Sequence, residues 1–356
     1  MHIGINMGYI ATVFTPAQEI EYAQEAERLG YRSLWVGEPY GNDAATVLAA
    51  LAACTKRIQI GAGIFAIPGR TAAMTAQTAA TLDWLSNGRL LMGLGPSGTQ
   101  VSEGWHGVPF AKPLLRTREY VDVIRMILRR DKPLEYHGET IRLPLPGTEG
   151  KPLRLIMHPV RSAVPILLAA LGPKNIELCG EIADGWLPFW FAPEHAATLR
   201  APLEAGARAA GRDPSSIDVM VNVIAHIDDD LARARNTMRP KLALYVGGMG
   251  SKENNFYKTL VSSYGYGDVA EQVQELYLSG RKAEAAALLP DELVDMVTLC
   301  GPADRIAERL HAYQNAGVHT VIPMFETSNV EERMSQLRAF VDIAKRSGCV
   351  TLSLDD

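Results

Sequence analysis

Cysteine is scarce and scattered. Cys54, Cys179, Cys300 and Cys349 are the only four in 356 residues. None sits in a C-x-x-C pair or at zinc-ligand spacing, so neither a disulfide framework nor a metal site is expected, and a reducing cytoplasm is the expected compartment. Long apolar runs are absent too: none approaches the roughly 18 residues that would span a bilayer. The start, Met1-His2-Ile3-Gly4, carries neither the basic nor the apolar segment of an export leader, so no membrane association is expected. Positive charge is in no surplus. Thirty-five Lys and Arg stand against 40 Asp and Glu, for a net charge of −5, and the densest basic run is Arg125 to Arg130. Phosphate neutralisation supplies most of a nucleic-acid binder's affinity, so no nucleic-acid partner is expected. What remains is 47% apolar and 21% charged, the balance of an ordinary globular protein rather than a disordered or fibrous one.

One pattern recurs along the chain: an amphipathic helix ends at a glycine and a short, wholly apolar strand comes next. It appears at Leu29-Gly30 before Ser33 to Val36, at Asn87-Gly88 before Leu90 to Gly93, at Asp184-Gly185 before Trp186-Leu187, and at Ala316-Gly317 before Thr320 to Ile322. Glycine adopts the left-handed turn that closes a helix, and strands apolar on both faces belong to a buried parallel sheet. Eight strands are expected near 3–7, 32–36, 58–64, 89–94, 164–169, 185–188, 217–226 and 319–323. Helices are expected near 16–29, 43–55, 71–86, 113–130, 173–182, 193–210, 302–316 and 329–346. Eight β/α units with no linker between halves predict one (β/α)8 barrel domain over 1–356, with a doubly wound sheet as the alternative. Two stretches exceed a connection's needs. Residues 131–162 are rich in Pro and Gly, with a hairpin expected from Leu134 to Leu143, and 227–300 read as a helical insertion after strand seven. Both are expected to cover the site and to set substrate choice.

In such a barrel the chemistry sits at the C-terminal ends of the strands. That rule selects Asn6, Glu38 with Pro39 and Tyr40, Gly63 and Ile64, Gly95 to Gly98, Ala170 to Lys174, Phe189 and Trp190, His226, and Phe325 with Glu326. Gly93-Leu94-Gly95-Pro96-Ser97-Gly98 matches the dinucleotide fingerprint in form only, because Thr99 to Trp105 open a helix poorly. Those glycines fit better as room for a flat ring against the backbone. Leu171-Gly172-Pro173-Lys174 runs from a strand into a helix start. This is either an anion site at a helix N-terminus or an ordinary turn. Glu38 is placed to relay a proton or orient a substrate; the alternative is a carboxylate satisfied by nearby backbone N–H groups. Tyr40, Trp105, His106, Phe189 and Trp190 are candidates for substrate contact. The commoner roles are solvation for the loop histidine and packing for the aromatic run. Lys241 to Gly250 either reaches over the mouth or is simply the end of an insertion helix.

The segments Gly30-Tyr31 through Gly37-Glu38, Ile60 to Ile64, Leu85 to Gly95, Gly107-Val108-Pro109-Phe110 and Ala183 to Trp186 resemble, in order and spacing, the bacterial luciferase-like flavin and deazaflavin oxidoreductases. The resemblance covers nearly the whole chain. Gly63-Ile64, Gly93 to Pro96, Gly172 to Asn175 and the run Lys112 to Tyr120 resemble most the branch that uses coenzyme F-420, an 8-hydroxy-5-deazaflavin, including the methylene-tetrahydromethanopterin reductases. The resemblance implies a TIM barrel with the deazaflavin at its mouth, a cis Gly63–Ile64 bond backing the ring, and Gly95, Pro96 and Ser97 beside it. It also implies phosphate held at Ala170, Leu171 and Gly172, to which the neighbouring Lys174 is placed to add a charge, Asn6 and Glu38 on the substrate side as the catalytic pair, and a homodimer formed through barrel helices. The sugar-phosphate dehydrogenases of that branch carry Asp-His where this chain has Glu38-Pro39, and a catalytic Glu where it has Ser97-Gly98. The expected activity is therefore hydride transfer from the deazaflavin C5 to a small C=C or C=N substrate. An FMN-dependent monooxygenase and a non-catalytic deazaflavin-binding protein are the alternatives.

Overall fold

The computed structural model describes every residue except Tyr9, 11–13, Ser328 and 353–356. Strand β1 (His2–Asn6) leads to α1 (Pro16–Leu29), which opens with a reciprocal cap between Thr15 and Gln18 and closes at Gly30 with φ +90°. Next come β2 (Ser33–Val36), α2 (Ala44–Cys54), β3 (Gln59–Ala62), the short β4 (Phe65–Ala66), α3 (Ala72–Leu85), β5 (Leu90–Gly95) and α4 (Pro113–Arg129). A two-stranded hairpin, β6 (Tyr136–His137) with β7 (Arg142–Leu143), precedes β8 (Ile166–Leu168), α5 (Pro173–Ile182), β9 (Gly185–Trp186), α6 (Ala196–Ala209) and β10 (Asp218–Ile227). The insertion holds α7 (Leu231–Gly248), α8 (Phe256–Val261), α9 (Gly267–Leu278), α10 (Lys282–Ala287), α11 (Asp291–Val297) and β11 (Thr298–Gly301). The chain finishes with α12 (Ala303–Asn315), β12 (Thr320–Phe325) and α13 (Val330–Ser347).

Eight strands close into one parallel ring in the order β1-β2-β3-β5-β8-β9-β10-β12, with β12 returning to β1. This is the expected TIM barrel. Strand three ends earlier than expected, at Ala62, because the chain turns at a cis Gly63–Ile64 bond before β4 rejoins β5. Gly88 and Gly317 take positive φ as helix-ending glycines, but Gly185 does not. The helix before it stops at Ala183, and Gly185 is a strand residue packed on Leu167.

The barrel interior is filled by Trp35, Leu91, Leu167, Leu187, Met220 and Ile322. Trp35 lies across the centre with its Nε1 donating to Ser33 Oγ at 2.9 Å. Room for the indole comes from Gly61, where a Cβ would stand 2.4 Å from Trp35 Cε3. A larger core lies between the strands' outer faces and the helices. The insertion has its own core of Met238, Leu242, Val246, Leu260, Val273 and Leu293, into which the barrel sends Trp190 and Ile224. Its last strand, β11, pairs with the long β10 from Ile224 to Ile227, an extension that no strand pattern within 227–300 had announced.

The 131–162 stretch runs along the barrel's outer wall. Glu119, midway along α4, accepts from the backbone N–H groups of Glu139, Thr140 and Ile141 and so fixes the hairpin turn to the barrel's outer wall. Arg161 bonds Asp83, near the end of α3, and Leu90 O, at the start of β5. Asp83 and Leu90 lie at the N-terminal end of the strands, away from the mouth, whereas the hairpin turn also pairs through Glu139 with Lys112 at the mouth-side start of α4.

Candidate active site

Glu38 leaves β2 with its carboxylate half-buried. Arg70 Nη2 donates to Oε1 at 2.7 Å and Arg70 Nε to Oε2 at 3.2 Å, a forked ion pair. The backbone N–H of Ala44 bonds Oε1 and that of Ala66 bonds Oε2, each at 3.2 Å. Arg70 also pairs with Asp43, the residue capping α2, and its guanidinium lies 5.3 Å from the centre of the Phe65 ring. The expected proton-relay candidate is thus tied to the start of α2 and to β4 just beyond the cis bond. Arg70 itself carried no signal in the sequence.

Ile64 lies over Gly95, where a Cβ would come 2.1 Å from Ile64 Cδ1, so the end of β5 is open to this close approach only because it is glycine. Ser97, two residues on, sits in the left-handed region at φ +60°, an uncommon conformation for a residue with a side chain. A Cβ on Gly172 would meet nothing within 4 Å. Gly172 is the cap of α5 and makes no side-chain cap bond, and Pro173 opens the helix. Pro173 has no N–H, and Asn175 N and Ile176 N both donate to Gly172 O, so in the first turn of α5 it is the Lys174 N–H that is left for an anion. Ala170 contributes backbone only: its side chain is buried and its carbonyl accepts from Trp186 Nε1 at 2.9 Å. Lys174 is exposed beside the turn, and Leu171 is half-buried above it. Asn175, in the same first turn, keeps a buried Oδ1 with no partner among the described residues. A ligand hydroxyl would satisfy that acceptor.

Around the rim, Tyr40 and Trp105 are exposed with ring centres 6.3 Å apart, and His106 lies against the backbone of Gly69. Phe189 is half-buried and stacks on Trp190 at 5.6 Å. Trp190 is fully buried, so it lines no open surface. Together with Phe189 it joins Tyr245 and Tyr257 of the insertion in one aromatic cluster, and its carbonyl accepts from Tyr264. Trp190 is thus a correction to the expected substrate wall: it anchors the insertion, while Phe189 keeps the outward position. The insertion reaches the opposite rim, where Gly250 N donates to Gln100 Oε1 at 3.2 Å. Lys241 on α7 pairs with Glu326 beyond β12 at 2.6 Å, and the buried His226 bonds the Glu326 carbonyl at 3.0 Å. The segment 241–250 is therefore both the end of α7 and the beginning of a cover.

Asn6 ends β1. Its Oδ1 accepts from Gly8 N at 2.9 Å and its Nδ2 donates to Asn222 Oδ1 at 2.9 Å. Asn222, inside β10, escapes a reading of the sequence because no motif or strand end marks it. The site thus gathers a bulge with a close-approach glycine, an open helix N-terminus, an amide pair and an aromatic rim. A flat ring with a phosphorylated tail fits that set: Gly63, Ile64 and Gly95 to Ser97 would back the ring, and the turn of Ala170 to Gly172 would take the phosphate.

The model of the luciferase-like monooxygenase family matches residues 2–320. A Mycobacterium tuberculosis protein named as a coenzyme F-420-dependent oxidoreductase is 39% identical over 347 residues, covering 96% of this chain and 99% of its own. The 5,10-methylenetetrahydromethanopterin reductase of Methanolobus tindarius is 29% identical, over 87% of this chain and 91% of its own. Among solved structures, the coenzyme F-420-dependent tetrahydromethanopterin reductase of Methanopyrus kandleri superposes with a TM-score of 0.77 at 25% identity, covering 96% of this chain and 97% of that one.

Proposed function

The chain belongs to the luciferase-like monooxygenase family, and from that premise we propose that it is a coenzyme F-420-dependent oxidoreductase that reduces a C=C or C=N bond of a small organic substrate. The observation that carries the reading is Ile64 packed on Gly95 at the end of β5, beside the start of α5 beyond the neighbouring β8, in a chain similar along nearly its full length to a relative named as F-420-dependent. When bound, the deazaflavin supplies a hydride at C5; the protein supplies orientation, electrostatics and water exclusion. Ile64, Gly95, Pro96 and Ser97 would hold the ring, and the backbone of the Ala170–Gly172 turn with Lys174 would hold phosphate. Tyr40, Trp105, His106 and Phe189 shield the mouth from water, and the proton that accompanies the hydride comes from solvent. Glu38 acts as a positioning residue: its ion pair with Arg70 fixes β4 behind the bulge. Reduction is favoured over alcohol oxidation because Pro39 and Ser97 stand where the branch's sugar-phosphate dehydrogenases carry histidine and glutamate. The exposed Met74 and Trp84 of α3 offer an apolar face for a homodimer. No helix among the described residues is long and apolar enough to cross a membrane.

The test is a titration of the purified chain with coenzyme F-420 and with FMN, then mixing with reduced F-420 and a set of small enones and cyclic imines. The reading expects F-420 to bind more tightly than FMN and the reduced form to be consumed with substrate. Tight FMN binding with oxygen uptake turns the chain into a flavin monooxygenase. F-420 binding without hydride exchange to any acceptor makes it a carrier.

A further inference from the structure

Two amide side chains, 216 residues apart in sequence, meet inside the barrel mouth, and the hydrogen-bond directions between them are fixed. Gly8 N is an obligatory donor, and it points at one terminal atom of the Asn6 amide from 2.9 Å, so that atom is the oxygen. Asn6 then has only its NH2 to offer Asn222, and Asn222 answers with its own oxygen. Both N–H donors of Asn222 are left over, with no partner among the described residues. The residue is half-buried rather than sealed in, so they are open to the mouth. In the ring order, β10 is four strands from β3 in either direction. Asn222 therefore faces the Gly63–Ile64 bulge from across the barrel, and a substrate lying on a ring backed by that bulge lies between the two.

We infer that Asn222 is a substrate-recognition residue whose amide N–H groups bind a hydrogen-bond acceptor, a carbonyl oxygen or imine nitrogen conjugated with or part of the bond that is reduced. The inference rests on the proposed hydride-transfer reading. With an enone, the hydride from the reduced deazaflavin forms the new C–H bond at the β carbon, the C=C π bond breaks, and the electron pair moves onto the oxygen held by Asn222. A solvent proton then completes the saturated ketone, and the cofactor leaves oxidised. With an imine, the pair moves onto nitrogen, which takes the proton. Donors already aimed where charge develops need no reorganisation. A site with unpaired donors also rejects a molecule that cannot satisfy them.

The experiment is ligand-observed NMR on the full chain, with and without coenzyme F-420, using cyclohex-2-en-1-one and cyclohexene as probes. The wild type is expected to bind the enone about tenfold more tightly than the hydrocarbon or better. Asn222→Asp still accepts from Asn6 but donates nothing; it is expected to lose that preference while its F-420 affinity and thermal midpoint stay near wild type. Asn222→Ser, which restores a hydroxyl donor, recovers part of it. A wild type with no preference for the enone, or an Asn222→Asp variant that keeps it, overturns the assignment. Failure of F-420 to bind sinks the proposed function instead, and the comparison of probes on the bare chain still judges Asn222.

Discussion

A carboxylate that accepts both arms of a guanidinium fork and two backbone N–H groups has most of its hydrogen-bonding capacity already taken up. That is the condition of Glu38. Its replacement by Gln removes the charge and turns an NH2 group toward donors. Glu38→Gln is expected to cost about 1–3 kcal/mol of stability in urea unfolding and to weaken F-420 binding as the bulge loosens. A proton donor would behave differently: the unfolding midpoint would stay in place and kcat alone would fall. Gly95 is set by a different constraint. Its neighbour across the gap is the flexible end of Ile64, so the requirement there is on the shape of the site more than on the stability of the strand.

At the scale of elements, the hairpin β6–β7 and the loop after it are fastened at two ends, to Glu119 on α4 and to Asp83 on α3. Asp83 is completely buried, and Arg161 supplies its counter-charge from a position one-third exposed. Arg161→Ala strands that carboxylate. The expected loss is about 2 kcal/mol, below the roughly 3–5 of a pair buried on both sides, read as a lower unfolding midpoint. F-420 affinity is expected to be unchanged, because the contact lies at the barrel end away from the mouth. A fall in affinity at constant stability would mean that this segment reaches the site. The α7–α11 insertion is fastened otherwise. Arg235 bridges Asp291 and Asp295, binding α7 to α11, and Trp190 carries the barrel into the insertion's core.

For the whole molecule, closure depends on the two ends of the chain meeting. Strand β12 pairs with β1, and α13 lies beside α1. Inside that seam Arg333 is buried, paired with Glu19 at 2.8 Å, placed 3.9 Å from the Tyr22 ring centre and bonded to Met7 O, the backbone just beyond Asn6. Burial raises the Glu19 carboxyl despite that partner. At the seam's surface Glu25 accepts from Arg28 on its own helix and from Arg338 on α13. The Arg28 hydrogen bond, with that of Arg338, holds the Glu25 carboxyl down at about 2, against an ordinary 4.5. A depressed carboxyl contributes stability that is full above its unfolded value and is lost as pH falls toward the folded one. Glu25→Gln is therefore expected to flatten the decline in thermal midpoint between pH 4.5 and pH 2 and to change little at lower pH. An unaltered acid limb would show that the seam does not titrate there.

The barrel was legible because local physics writes it locally. Apolar strands, amphipathic helices and helix-closing glycines such as Gly30 and Gly317 each depend on residues a few positions apart, and their repetition counted the eight units. The strand-end rule then named Asn6, Glu38, Gly63, Ile64, Gly95 and the Gly172 turn. Tertiary structure decided what those residues touch. Arg70 comes to Glu38 from 32 positions away and Asn222 to Asn6 from 216, and no periodicity reports such a meeting, because the closing of the ring makes it. The same holds for Trp190, whose aromatic neighbours arrive from the insertion, and for 131–162, whose side of the barrel is chosen by Glu119 and Asp83. Backbone pattern fixes where a strand ends; only the packed barrel fixes which side chain across the mouth answers it.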